Sequence, residues 1–164
     1  MKRRDLLKGL IVGLGVPWSL QVLAEARPVR VGVDVCPFCN MTVIDARYAA
    51  QMVTRTGKVY SYDAIECLVD HLNGYGGPKV EPRELYAPDF AASTAKEAAL
   101  EPVGALVFLY HRRIRTPMGG GLVAFAREED AERFVQERRL KGVRRMKWAE
   151  LVAEGKQHAW VPPY

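Results

Sequence analysis

A chain of 164 residues, 49% hydrophobic and 26% charged, holds one domain of ordinary size or two very small ones sharing a core. Its formal net charge is +5; Lys2, Arg3, Arg4 and Lys8 against Asp5 and Glu25 leave two of those charges in the first 26 residues and three in the body. So small a surplus, with no basic stripe interleaved with stacking aromatics, excludes nucleic acid as the partner.

The first 26 residues have the layout of an export signal. Lys2-Arg3-Arg4-Asp5-Leu6-Leu7-Lys8 resembles the twin-arginine pattern, and an apolar run over 9–16 follows, then Pro17 and a second apolar stretch over 20–24. Ala24-Glu25-Ala26 fits a small-x-small cleavage site, so the mature chain is expected to begin at Arg27. The apolar core is short and glycine-rich for a spanning helix, which favours cleavage over a retained membrane anchor. The expected location is periplasmic or otherwise extracytoplasmic, where unprotected thiols tend to oxidise.

In the body, alternation over 29–35 predicts a short strand leading into Cys36-Pro37-Phe38-Cys39-Asn40-Met41. That hexapeptide looks like a tight knuckle, with Pro37 fixing one φ and Asn40 tolerating the left-handed region. Residues 41–44 favour strand, and residues 48–54 and 59–62 flank the turn Thr56-Gly57-Lys58 as a hairpin. Asp63 is placed to cap a helix over 64–72, with Ile65, Leu68, Val69 and Leu72 inward. Asn73-Gly74-Tyr75-Gly76-Gly77-Pro78 stops it. Residues 78–102 read as a connector with a short strand near 85–87 and a weak helical turn over 94–100. A buried strand is expected over 105–110, then a basic run, His111-Arg112-Arg113-Ile114-Arg115, and the loop Thr116-Pro117-Met118-Gly119-Gly120-Gly121. A strand over 122–126, an amphipathic helix over 128–139 with Ala131, Phe134 and Val135 inward, and a last helix over 147–153 complete the chain. Two strand-then-helix units about sixty residues apart suggest duplication: an α+β fold of two similar ββα-type halves, about 27–77 and 78–140, antiparallel strands packed with short helices.

Three cysteines, Cys36, Cys39 and Cys67, admit one disulfide with a leftover thiol or a reduced metal site. Cys-Pro-aromatic-Cys is familiar from glutaredoxin-type thiol exchangers. Their reactive thiol depends on a helix directly behind the motif, whereas residues 40–45 favour strand. A thiol–disulfide reductant using Cys36 and Cys39 therefore stays as the alternative, and a structural zinc knuckle as a third option. Met41, two residues after Cys39, adds a thioether that serves no disulfide exchange and suits Cu(I). Met118, beside glycines that let backbones approach closely, is expected to be exposed enough to reach an ion. Cys67 falls on the polar side of its helix with Asp63, Asp70 and His71; it meets the knuckle if the helix start packs against it, or else stays a free thiol. His71, His111 and His158 share no recognisable ligand spacing and read as surface histidines. The 111–115 run is either a solvated edge or a docking patch for an acidic partner. No nucleophile–base arrangement, phosphate loop or paired-carboxylate pattern points to an enzyme.

Cys36-Pro37-Phe38-Cys39-Asn40-Met41, the stretch Ile44 to Gln51, the stretch Tyr60 to Cys67, and the stretch Met118 to Phe125 together resemble the NosL family of copper-binding accessory proteins. The likeness runs from about Asp34 to Arg138. It implies an exported copper chaperone that takes Cu(I) from an upstream copper donor and delivers it to a client enzyme, nitrous oxide reductase. By motif position it assigns Cys39 and Met41 as Cu(I) ligands, followed by Met118 and Cys36, with Cys67 at a position often occupied by cysteine. Asn40 stands where the family commonly has glycine, and no cysteine marks the signal boundary as in the family's lipoproteins.

Overall fold

The computed structural model of the chain describes residues 26–163; the candidate export signal over 1–26 lies outside them except for Ala26. Seven strands form two antiparallel sheets. In the first, β1 (Ala50–Thr54), β2 (Val59–Tyr62), β3 (Pro82–Pro88) and β4 (Leu100–Pro102) lie in the order β2-β1-β3-β4. In the second, β5 (Val107–Tyr110), β6 (Leu122–Phe125) and β7 (Arg144–Met146) lie in the order β6-β5-β7. Helix α1 (Ile65–Leu72) follows β2, α2 (Glu128–Glu137) follows β6, and α3 (Trp148–Gly155) follows β7. Each unit is a hairpin, a helix and a strand returning to the far side of the hairpin's first strand. The two ββα-type units thus share one topology, and β4 extends the first.

Side-chain alternation explains how the units combine. In the second sheet Phe108, Leu122 and Ala124 face the main core, while Val107, Leu109, Val123 and Phe125 face the other way onto Ala131 and Phe134 of α2. Ala50 and Met52 of β1 face the main core from the first sheet. Helix α1 lies in that core, touching β1, β2, β6 and α3. Each fully buried Ile, Leu or Phe of this set contributes about 1.5–3 kcal/mol of transfer free energy.

Four local expectations are corrected. Residues 29–35 form no strand: the Val33 and Asp34 amides turn back onto Arg30 O, Gly32 has φ +78°, and only the bridge Val35↔Thr42 remains. Residues 78–102 are no mere connector, since β3 pairs with β1 and β4 with β3. The helical turn over 94–100 is absent. Thr94 Oγ1 accepts from the Lys96 and Glu97 amides and Ser93 Oγ from the Ala99 amide, so hydroxyls take the donors a helix would use. Asp63 is no cap either: Ala64 holds the N-cap position and no side chain bonds there.

Helix α3 packs tightly against α1 at Gly155, where an added Cβ would stand 2.5 Å from Asn73 Nδ2 and 2.9 Å from Val69 Cγ1. Alanine would improve helix propensity by about 1 kcal/mol, but overpacking costs about 1–3 kcal/mol. Gly155→Ala is therefore expected to destabilise the fold, read as a lower midpoint in chemical denaturation. An unchanged or higher midpoint would mean the helices separate freely.

Candidate metal site

The knuckle closes on itself. The Cys36 amide donates to Met41 O at 2.8 Å, the Asn40 amide donates to Cys36 O at 2.9 Å, and Asn40 takes φ +62°. Its base is held by the buried carboxylate of Asp34, which accepts from Arg27 Nη1 (2.8 Å), Arg30 Nε (2.9 Å) and Ser61 Oγ (2.8 Å). Ser61 lies on β2, and β2 runs directly into Asp63 and α1. Asp34 therefore sets the knuckle against the start of the helix that carries Cys67. Burial alone would raise the Asp34 carboxyl, but the bonds from Arg27, Ser61 and Arg30 overcome it and hold it at about 2.

Through that register, one ligand atom each from Cys36, Cys39, Asp63 and Cys67 fall within 4.8 Å of one another. All three cysteines are free thiols; Cys36 and Cys67 are buried and Cys39 is half-buried. Cys67 was expected on the polar side of α1, but that side is not solvated. The second unit covers it, and Glu66, Cys67, Asp70 and His71 are all buried. Glu66 accepts from Thr116 Oγ1 and from the Gly120 amide (3.0 Å), and Asp70 accepts from the Trp160 and Val161 amides (2.8 Å each).

The charge distribution follows from crowding three sulfurs. Hydrogen bonds from the Cys39 and Cys67 thiols, with the Cys39 and Asp63 amides, outweigh burial and hold Cys36 far below the usual thiol range. Cys39, bonded to Cys36, is pushed up to about 12. Bonds to Cys36 and Cys39, then burial, drive Cys67 up as well. Crowding three sulfurs this closely disfavours more than one thiolate, because a second would sit against the first. Burial, then the charge on Cys36, raises the Asp63 carboxyl to about 6. Its Oδ1 accepts from Cys39 Sγ at 3.3 Å, while Oδ2 is buried without a partner. Three thiols suit a soft cation, which would replace their protons, and the unpartnered carboxylate oxygen adds negative charge beside it.

The remaining candidates fall around this cluster. Met41 is 44% exposed, at the outer end of the knuckle. Met118 is not presented to solvent as expected: it is 7% exposed and belongs to the same side-chain cluster as Cys36 and Cys67. The Glu66 bonds to Thr116 and Gly120 draw its loop inward, and a Cβ at Gly120 would meet the Glu66 side chain at 2.8 Å. His71 is no surface histidine. It is buried between Tyr62 Oη and Pro78 O, both 2.7 Å away, so neither ring nitrogen has a free lone pair for a metal. His111 Nε2 meets Lys141 O, and His158 meets Glu154. Asp63 is the member that reading for caps missed. Its place four residues before Cys67, in the turn that leads into α1, was the available signal.

The family model NosL matches residues 31–154. Among solved structures, the crystal structure of the copper chaperone NosL from Shewanella denitrificans is similar, with TM-score 0.64 and 19% identity over 77% of this chain and 95% of that one. At that identity the likeness is one of fold. No curated protein matches the chain.

Asp34 yields a pH-dependent prediction. Its folded pKa lies below the unfolded value, so its contribution is full above about pH 4 and is lost as pH falls toward 2. Asp34→Asn should cost about 2 kcal/mol at neutral pH, and the gap to wild type should close in acid. Denaturation curves at a series of pH values check this; a gap independent of pH would remove the carboxylate as the clamp.

Proposed function

The chain belongs to the NosL family, and from that premise we propose that it is an exported, non-enzymatic copper chaperone that carries Cu(I) on sulfur. The observation that carries the reading is the convergence of three reduced thiols on one point, one of them half-open to solvent. Thiolate sulfur favours soft and borderline ions, Cu(I) and zinc among them, and the thioethers of Met41 and Met118 weigh the choice toward Cu(I). In this reading Cys36 and Cys67 hold the ion from behind and Cys39 from the solvent side. Met41 and Met118 supply thioethers, and Asp63 takes up the proton that Cys39 releases. An incoming soft donor from the client enters at the Cys39–Met41 side, and the exposed ligands leave before the buried ones. The client proposed from the family resemblance is nitrous oxide reductase, loaded outside the cytoplasm, with an upstream copper donor filling the site.

The thiol–disulfide reductant is less well supported. An exchanger needs an accessible thiol of lowered pKa. Here Cys36 is fully buried, and the helix that follows the motif begins only at Ile65, so no helix N-terminus lies directly behind it.

Competition for Cu(I) against bathocuproine disulfonate tests the reading. Wild type is expected to retain copper, Cys39→Ser and Cys67→Ser to lose at least about tenfold in affinity, and Met41→Leu to hand copper over at an altered rate. A wild type that cannot compete for copper overturns the proposal; equal affinity and rate in Met41→Leu removes Met41 from the site.

A further inference from the structure

The loop between β5 and β6 carries Arg112, Arg113 and Arg115, all exposed, around an open recess of about 620 Å³ that Thr116 and Gly119 also line. No Asp or Glu occurs between Glu101 and Glu128. Arg27, Arg30, Arg47, Arg133 and Arg144 each meet a carboxylate within ion-pair distance. Among the described residues, Arg112, Arg113 and Arg115 have no such partner. Three unneutralised guanidinium groups crowded on one loop repel one another, and the fold supplies nothing that compensates.

The loop is also firmly built. The His111 amide donates to Gly121 O, the Ile114 amide to His111 O at 2.8 Å, and the Arg113 amide to His111 Nδ1 at 3.1 Å. Ile114 is buried in the α2 core, and the far end is clamped by Glu66 through Thr116 and Gly120. Glu66 is the neighbour of Cys67, and Met118 of this loop lies in the side-chain cluster of Cys36 and Cys67. The arginines are thus presented by a preorganised frame anchored on the helix that carries Cys67.

We propose that this arginine recess is a docking site for an acidic face of a partner protein, whose Asp and Glu carboxylates pair with Arg112, Arg113 and Arg115. The forked geometry of guanidinium suits carboxylates, and a concave positive recess raises the encounter rate of an acidic partner. A membrane surface fits less well. The large exposed apolar side chains, Val33, Val35, Met41, Ile44 and Tyr75, all lie outside this loop, so nothing here would enter a bilayer. The inference deepens the copper reading: docking here would hold a partner beside the loop that bears Met118.

The test uses the metal-free full chain and a fluorescein-labelled oligoglutamate peptide, followed by fluorescence anisotropy at low ionic strength. Wild type should bind it, more weakly as salt rises, and should not bind oligolysine. R112E/R113E/R115E should lose at least about tenfold in affinity, and the milder Arg113→Gln about threefold. Circular dichroism melts should stay unchanged, because these side chains are exposed. Equal binding by wild type and the charge-reversed variant overturns the proposal. So does binding to phosphatidylglycerol vesicles without binding to oligoglutamate, which would assign the recess to a membrane. Equilibrium Cu(I) affinity should match in wild type and the triple variant. A wild type that binds no copper would defeat the chaperone reading and leave the peptide result standing.

Discussion

Helix α1 is enclosed by β1 and β2 of its own unit and by β6 and α3 of the other, so its polar side chains must be matched inside the protein. An unmatched buried polar group costs about 1–3 kcal/mol, enough to matter against a typical net stability of about 5–15 kcal/mol. Glu66 meets this demand with one oxygen, Oε1, by drawing in the glycine-rich loop, while its Oε2 stays buried without a partner; Asp70 meets it by fastening the C-terminal tail through the Trp160 and Val161 amides, and His71 by linking Tyr62 to the turn at Pro78. These three matches wrap the second unit, the tail and the 74–78 turn around the helix that carries Cys67. The helix that bears one of the thiols therefore lies between the halves.

Within that enclosure the sulfurs are crowded and only partly charged. Three thiols crowded beside a carboxylate with an unpartnered oxygen form a site whose polar groups are incompletely satisfied by the protein alone. Such an arrangement is a store of unmet polar demand that a soft cation would relieve. Because Cys36 and Cys67 are sealed while Cys39 and Met41 face outward, the two sides of the site differ in access. Under the copper reading, that asymmetry separates holding from handing over.

The arginine recess adds a second division of labour. Affinity for an ion would be set by the sulfurs, whereas the choice and orientation of a partner would be set by charge on a loop tied to the same helix. Glu66 joins the two, since the residue that bonds Thr116 and Gly120 is adjacent in sequence to Cys67. Substitutions at exposed arginines can therefore act on encounter without disturbing the buried donors.

The ββα order, the knuckle and the left-handed Asn40 were legible in the residues, because strand alternation, helix periodicity and turn chemistry are local properties. So were the cysteines as metal candidates, since sulfur spacing in Cys36-Pro37-Phe38-Cys39 is local as well. The side of α1 that Cys67 occupies was not. Periodicity marks Glu66, Asp70 and His71 as a solvent face, and only a second unit packing on that face turns it into the interior. For the same reason Met118 moved from an exposed loop to the core, and Asp63 from a helix cap to the thiol cluster. Each of these depends on contacts between residues 24 or more apart in the chain, as between Cys39 and Asp63. The sequence by itself determined the donors and the local frames that present them; the tertiary structure decided which donors meet, because the knuckle and the start of α1 come together only through contacts between distant parts of the chain, such as Ser61 with Asp34 and Cys39 with Asp63.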